Sequence, residues 1–354
     1  MVIMEVKNKV ILLIADGWGV APDGPGNYVT KSKTPVFDKL LEKYPHCLNQ
    51  AAGNAVGLPE GSQGNSEVGH LHMGAGRIVW QPYELINRAI KDGSFFENEK
   101  LIEVMEYVKK NNSKLHLTGL CSDAGVHAHI NHLFALLEMA KDHGLDRVFI
   151  HFISDGRDVP EKSAKKYVEM IESKCSKLGV GKIATVCGRF YSMDRDNNWE
   201  RTEKAYNLLT KGGEFGAKTA TGAIEKAYER GDKIDYYIKP TAIENVKVEN
   251  NDGFIFFNFR TDRPKQLTKA FITDDFDEFE RDVHPDVYFV TMTEYKEDFG
   301  NINVFEEVEI DGDLGEVLSE NGLKQLRLAE TEKYAHVTYF FNCQQDDPYP
   351  GEER

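Results

Sequence analysis

The stretch "DRVFIHFISDGRDVPEKSAKKYVEMIESKCSKLGVGKIATVCG", residues 146–188, decides the fold. "DRVFIHFI" reads as a strand, "PEKSAKKYVEMIESKCSKLG" as a helix and "KIATVCG" as a second strand. Two strands joined by a helix of that length imply a parallel pair with a helical crossover. Between the first strand and the helix lies the polar turn "SDGRDVP", with Arg157 and Asp158. In parallel sheets the loops after the strand carboxyl ends carry function, so this turn is the first place to look.

The pattern continues on both sides. Upstream come "KLHLTGL" (114–120) as a strand and "HINHLFALLEMAKDHG" (129–144) as a helix ending at Gly144. Downstream, "WERTEKAYNLLTKGG" reads as a helix, "GFIFFNF" as a strand, "RPKQLTKAFI" as a helix and "VYFVTMT" as a strand. Near the start, "KVILLIADGWG" (9–19) reads as a buried strand running into a Gly-rich loop, with Asp16 just past its end. In "KTPVFDKLLEKYP", Thr34 reads as a helix N-cap and Pro35 as the first helical residue. The fold class is therefore α/β. The tail, ending "FNCQQDDPYPGEER", reads as a polar, Pro-rich open connection, so the chain is expected to be unfinished.

The chain has 354 residues, long enough for two domains, and 41% hydrophobic content, ordinary for a globular protein. Its 43 Lys and Arg against 58 Asp and Glu give a formal charge of -15, which argues against nucleic acid or an anionic membrane as the main partner. No apolar run is long enough to span a bilayer, and the opening "MVIMEVKNK" lacks a signal-peptide layout. Five cysteines without a CxxC pair suit reduced thiols in a cytoplasm.

Four polar loops sit where a parallel sheet would place a site. In "ADGWG", Asp16 is a candidate metal-ligand carboxylate, with a plain Asp-Gly turn as the alternative. In "EGSQGNSEVGHLHMGAGR" (60–77), a helix begins near Ser66, where free N–H groups and the dipole suit phosphate or phosphoserine. A plain N-cap serine is the alternative there, and Ser62 reads as a loop residue. In "CSDAGVHAHINH", His127, His129 and His132 invite a metal reading, but a phosphate contact by one histidine fits equally. The fourth set is arginines beside aspartates: Arg157 and Asp158 in "SDGRDVP", Arg189 and Arg195 in "GRFYSMDRD", and Arg260 and Arg263 in "NFRTDRP". Guanidinium forks match carboxylate and phosphate, which points to a small, strongly anionic substrate.

Taken together, "ILLIADGWG", "GNSEVGHLHMGAGR", "SDAGVHAH", "SDGRD", "GRFYSMDRDNNWER", "FNFRTDRPKQ" and "AETEKYAHVTYFFN" resemble the 2,3-bisphosphoglycerate-independent phosphoglycerate mutases. The resemblance implies an alkaline-phosphatase-like α/β domain, incomplete here, carrying an inserted α/β transferase domain. Residues 1–80 and 305–354 would form the first and residues 81–304 the second. It implies interconversion of 3-phosphoglycerate and 2-phosphoglycerate in glycolysis and gluconeogenesis by a cytoplasmic monomer, with two Mn²⁺ ions. Ser66 matches the nucleophile and a metal ligand, Asp16 a ligand of the same metal, and Asp158 the proton-shuttling residue. His127, Arg157, Asp158, Arg189, Arg195, Arg260 and Arg263 match the substrate pocket, and Lys333 the phosphate-binding lysine. Ala124, Ala128 and Ser154 depart mildly from the family wording. Cys343 and Gln344 stand where the family usually shows Gly-Gly, a pair with more backbone freedom. Family members also continue well past this length, and the remaining metal ligands are expected there. The bare chain is therefore expected to be inactive. The competing readings are a silent phosphoglycerate-binding short form and a phosphatase of the same superfamily.

Overall fold

The computed structural model describes residues 9–306 and 310–354, so the first eight residues of the opening "MVIMEVKNK" lie outside the described residues. The chain divides into two compact units, one formed by Met1–Glu84 with Val308–Arg354 and the other by Leu85–Glu307. No helix among the described residues is long and apolar enough to cross a membrane.

The Leu85–Glu307 unit is built on an eight-stranded sheet. Its strands are β1 (Leu115–Leu120), β2 (Val148–Ser154), β3 (Lys182–Gly188), β4 (Phe215–Gly216), β5 (Thr241–Ala242), β6 (Gly253–Phe256), β7 (Tyr288–Thr293) and β8 (Ile302–Phe305), in the order β4-β5-β3-β2-β1-β6-β7-β8. Every pairing is parallel except β3 with β5. The central strands are buried along their length, which is why they read as continuous apolar runs rather than alternating ones. The expected crossover between β2 and β3 is the helix Ala164–Leu178, which buries Tyr167, Val168, Ile171 and Cys175 and ends at Gly179. Helices Ile130–Asp142, Trp199–Thr210 and Lys265–Ile272 follow β1, β3 and β6 as the sequence predicts.

Helix Glu99–Asn111 and strand β8 were not anticipated. The helix carried a legible signal: Asn98 accepts from the N–H groups of Lys100 and Leu101, and Leu101, Val104, Met105 and Val108 repeat at helical spacing and are buried. Strand β8, "INVF", is short and only partly buried, and its pattern says little without its neighbour β7.

In the other unit, two expectations change. Residues 10–15 form no strand among the described residues, and Val10, Ile11 and Leu13 are 89%, 90% and 86% exposed. An apolar run buries itself as a strand only where other strands flank it, and the described residues place none beside this one. The helix Pro35–Lys43 forms as read, with Thr34 as N-cap and Pro35 first, yet Val36, Leu40 and Leu41 remain exposed. The tail is not an open connection. Strands β9 (Gln325–Leu326) and β10 (Glu352–Glu353) pair in parallel, and the Glu352 carboxylate accepts from Asn342 Nδ2 at 2.8 Å and Arg354 Nε at 2.7 Å. Asp313 caps the helix Leu314–Glu320 and accepts from the Tyr349 hydroxyl at 2.6 Å, which ties the tail down further.

Candidate active site

Two separate groups of predicted residues are organised by the fold, one in each unit.

In the first, the helix Ser66–Ala75 starts at Ser66 itself. The cap is Asn65, whose side chain accepts from Val68 N at 2.9 Å, so the plain-N-cap alternative for Ser66 falls away. The serine hydroxyl is thereby free of capping duty and sits at the first helical position, where unpaired N–H groups face outward. Gly64 lets the chain enter this turn, because a Cβ there would lie 1.7 Å from the Ala51 carbonyl oxygen. Ser62 sits in the preceding turn, its N–H bonded to Pro59. Ser66 donates its hydroxyl to Asp16 Oδ2 at 2.5 Å, and Lys333 Nζ donates to Ser66 Oγ at 2.7 Å and pairs with the Asp16 carboxylate. Hydrogen bonding from Lys333, reinforced by Ser66, holds the Asp16 carboxyl below its ordinary range. Lys333 reaches this point from a short turn, Thr331–Lys333, which the Glu330 side chain caps. Its successor, the π-helix His336–Phe340, packs on the serine helix, with the His70 and His336 rings 5.4 Å apart. His70 Nδ1 lies 2.8 Å from the Ser66 carbonyl oxygen and steadies the same turn.

Just beyond the π-helix, Cys343 and Gln344 adopt φ of 53° and 73°. The loop therefore keeps the left-handed backbone that glycines take without strain, but builds it from residues with side chains.

In the second group, strands β3, β2, β1 and β6 are neighbours and run parallel, so the loops after their carboxyl ends line one edge of the sheet. The β2 loop turns at Gly156, where φ is +64° and a Cβ would come within 2.8 Å of Tyr236 N. The centre of this group is a residue the sequence reading passed over. Asp155 is buried, and its Oδ1 accepts from Arg157 N at 3.1 Å, Asp158 N at 3.0 Å and Arg189 at 2.7 Å; its Oδ2 accepts from the Ser122 hydroxyl at 2.7 Å. The only sequence clue was its place in "SDG", matching "ADG" at Asp16.

Arg189, itself 1% exposed, also binds Asp158 at 2.5 Å. Its Nε is buried and without a hydrogen-bond partner among the described residues. A buried guanidinium N–H left open is costly unless a ligand oxygen takes it. Arg263, also buried, donates to the Met193 carbonyl at 3.0 Å, and burial, then Arg189 and Arg195, lowers its pKa. Asp262 gathers the rest, with Arg195 at 2.5 Å, Arg260 Nε at 3.1 Å and His127 Nδ1 at 3.5 Å. Burial, and secondarily Arg189, brings His127 down to about 4, so its ring is neutral at pH 7. Arg157 stands apart: it is exposed, and among the described residues its guanidinium makes no ion pair. The His129 and His132 rings lie 5.8 Å apart, but the histidines form no metal-holding cluster among the described residues. His129 caps the helix Ile130–Asp142 and His132 Nε2 bonds Asn87 at 3.1 Å.

Toward a metal the donor set is thin. Asp16 and Ser66 offer two oxygens, both already held by Lys333, and no cluster of three His, Cys, Asp or Glu exists among the described residues. Two donors do not make a Mn²⁺ site, which fills most of an octahedron with oxygen or nitrogen ligands.

Residues 86–297 match the family model described as BPG-independent PGAM N-terminus. A 2,3-bisphosphoglycerate-independent phosphoglycerate mutase of Methanococcoides burtonii is 52% identical, over 98% of this chain and 68% of that protein. One of Moorella thermoacetica is 48% identical, over 99% and 69%. A Leishmania mexicana phosphoglycerate mutase, solved at low cobalt concentration, superposes with a TM-score of 0.69 at 32% identity, covering 94% of this chain and 64% of that one. The chain thus spans about two thirds of the length of these relatives.

Proposed function

This chain belongs to the 2,3-bisphosphoglycerate-independent phosphoglycerate mutase family of isomerases, and from that premise we propose that it handles the interconversion of 3-phosphoglycerate and 2-phosphoglycerate through phosphoserine at Ser66. The observation that carries the proposal is the open Arg189 Nε, a buried donor near Arg263 and Arg195 that a phosphate or carboxylate oxygen would complete. The Leu85–Glu307 unit is the inserted transferase domain of this family, and we assign it the glycerate. The other unit, the phosphatase-like one, receives the phosphoryl group.

In this reading Asp16 takes the hydrogen bond of the Ser66 hydroxyl and turns an oxygen lone pair toward phosphorus. Ser66 Oγ bonds to phosphorus, its proton passing to Asp16, as the bond from phosphorus to the glycerate O3 breaks and O3 takes a proton carried by Asp158. Lys333 and the helix N–H groups offset the charge on the transferring phosphoryl oxygens. Arg189, Arg195, Arg260 and Arg263 grip the glycerate while it turns, and neutral His127 donates or accepts a hydrogen bond without adding charge. The glycerate O2 then bonds to phosphorus as the bond from phosphorus to Ser66 Oγ breaks; the O2 proton passes to Asp158, the carboxylate held by Arg189, and Ser66 Oγ takes its proton back from Asp16. Arg157 is assigned to the substrate as well, its exposed side chain closing on bound anion. The molecule acts as a monomer on a small-molecule substrate in cytoplasmic glycolysis and gluconeogenesis.

Asp16 and Ser66 are this chain's two oxygen donors toward Mn²⁺, which would supply charge neutralisation at the serine. They leave that ion's sphere mostly unfilled, and the 354 residues alone are expected to bind substrate without turnover.

Calorimetric titration with 3-phosphoglycerate, beside a coupled assay for 2-phosphoglycerate in added Mn²⁺, tests the reading. Binding without turnover is expected, and absence of binding by the folded chain would sink it. Turnover abolished in Ser66→Ala would support the serine and overturn the expected silence.

A further inference from the structure

The arginine pocket contains a carboxylate that the proposed chemistry does not use. Asp262 lies between Arg260 and Arg263 in the sequence, and in space it contacts Arg195, Arg260 and His127, which reach it from three different strand-end loops. One of these contacts is incomplete. Asp262 Oδ1 and His127 Nδ1 face each other at 3.5 Å, and neither has a hydrogen-bond partner among the described residues. Arg195 and Arg260 keep 43% and 52% of their side-chain surfaces exposed, and Asp262 keeps 29%.

The contrast is with Asp155. That carboxylate is fully enclosed, accepts four hydrogen bonds and cannot leave without exposing buried donors. Asp262 is partly exposed, and two of its three partners are solvated guanidiniums. A carboxylate held this way is a displaceable counter-ion rather than a fixed strut.

We propose that Asp262 is an internal stand-in for one anionic end of the ligand, which keeps Arg195, Arg260 and His127 gathered when the pocket is empty and opposes anion binding until it is displaced. The inference rests on the reading of this pocket as a phosphoglycerate site and adds a residue that sets its affinity. The physical basis is a competition. An incoming phosphate or carboxylate needs the same guanidinium N–H groups, and a like charge a few ångströms away repels it. The device has a use: cations left close together without an anion would repel one another and spread, so the carboxylate holds the site in shape at the cost of affinity.

A fixed positioning residue and a displaceable counter-ion predict opposite signs. Asp262→Asn keeps the shape and one carbonyl acceptor but removes the charge. If Asp262 is a stand-in, Asp262→Asn binds anions about tenfold more tightly at low ionic strength, with the gain shrinking as salt screens the repulsion. Asp262→Glu, which restores the charge, returns affinity toward that of the native chain. Two probes, inorganic phosphate and 3-phosphoglycerate, are titrated calorimetrically into the full chain and both variants, with circular dichroism confirming that each is folded. Weaker or unchanged binding of both anions by folded Asp262→Asn overturns the proposal. The underlying functional reading is scored separately: it fails if the native chain does not prefer 3-phosphoglycerate to phosphate, while the ratio of Asp262→Asn to native for phosphate alone still reports on Asp262.

Discussion

Replacing Asp155 by alanine would strike the pocket at its base, and the size of the effect can be worked out from its bonds. The change removes one of the two carboxylates holding Arg189 and leaves the Ser122 hydroxyl and the N–H groups of Arg157 and Asp158 without their acceptor. Breaking a buried ion pair from one side costs about 3–5 kcal/mol, and Asp158 remains to share the charge, so the lower end applies. Ser122 is wholly buried and adds about 1 kcal/mol, whereas the two N–H groups lie on a turn that water can reach. The expected loss is therefore roughly 4 kcal/mol. Asp155→Asn keeps one oxygen for the backbone donors but loses the charge and the second acceptor oxygen, which Ser122 uses, for roughly half that cost. Hydrogen exchange of the full chain, read on amides of β2 and β3, measures both variants against the native protein. A loss under about 1 kcal/mol for Asp155→Ala, or equal losses for the two variants, would refute the view that this carboxylate holds the pocket together.

Two further outcomes are expected. At Cys343 and Gln344, substitution by glycine relieves the left-handed strain, so each change stabilises the first unit by about 0.5–1 kcal/mol in thermal unfolding, and a fall in stability would contradict it. The second concerns pH. Burial, and then His129, brings His132 down to about 3 from its ordinary 6.5. Between those values the unfolded chain binds a proton that the folded chain refuses, so stability is intact above pH 6.5 and falls by about 1.4 kcal/mol per pH unit below it. His127, brought to about 4, adds to the same slope down to that pH. Urea midpoints between pH 7.5 and 5 check this, and His132→Gln flattens the dependence.

The sequence disclosed what is local. Strands β1, β2, β3, β6 and β7 announced themselves because a strand buried on both faces has no choice but a continuous apolar run. Ser66 was visible because a helix start has its own chemistry, although Asn65 and not the serine turned out to be the cap. What escaped was set by distant partners. Nothing around Asp155 in the sequence says that Ser122 and Arg189, each more than thirty positions away, will close on it. The buried chain His116–His151–Thr185, anchored to Asp252, is similarly scattered over β1, β2, β3 and the turn before β6. Residues 10–15 failed in the opposite sense: their pattern was right for a strand, but pairing is a property of neighbours, which the pattern cannot supply. The tail read as open because its anchors, Glu352 and Tyr349, act through contacts and leave no periodic trace.

That the arginines hang from three separate loops, each rooted in its own strand of one rigid sheet, has an evolutionary consequence. Exchanging a residue at the tip of one loop alters one corner of the site and leaves the other two, and the hydrogen-bonded ladder beneath them, as they were. Selection can therefore explore new ligands one corner at a time. The residues that resist such exploration are those shared between loops, so substitutions at Asp155 and Asp262 are the ones whose effects would spread across the whole site.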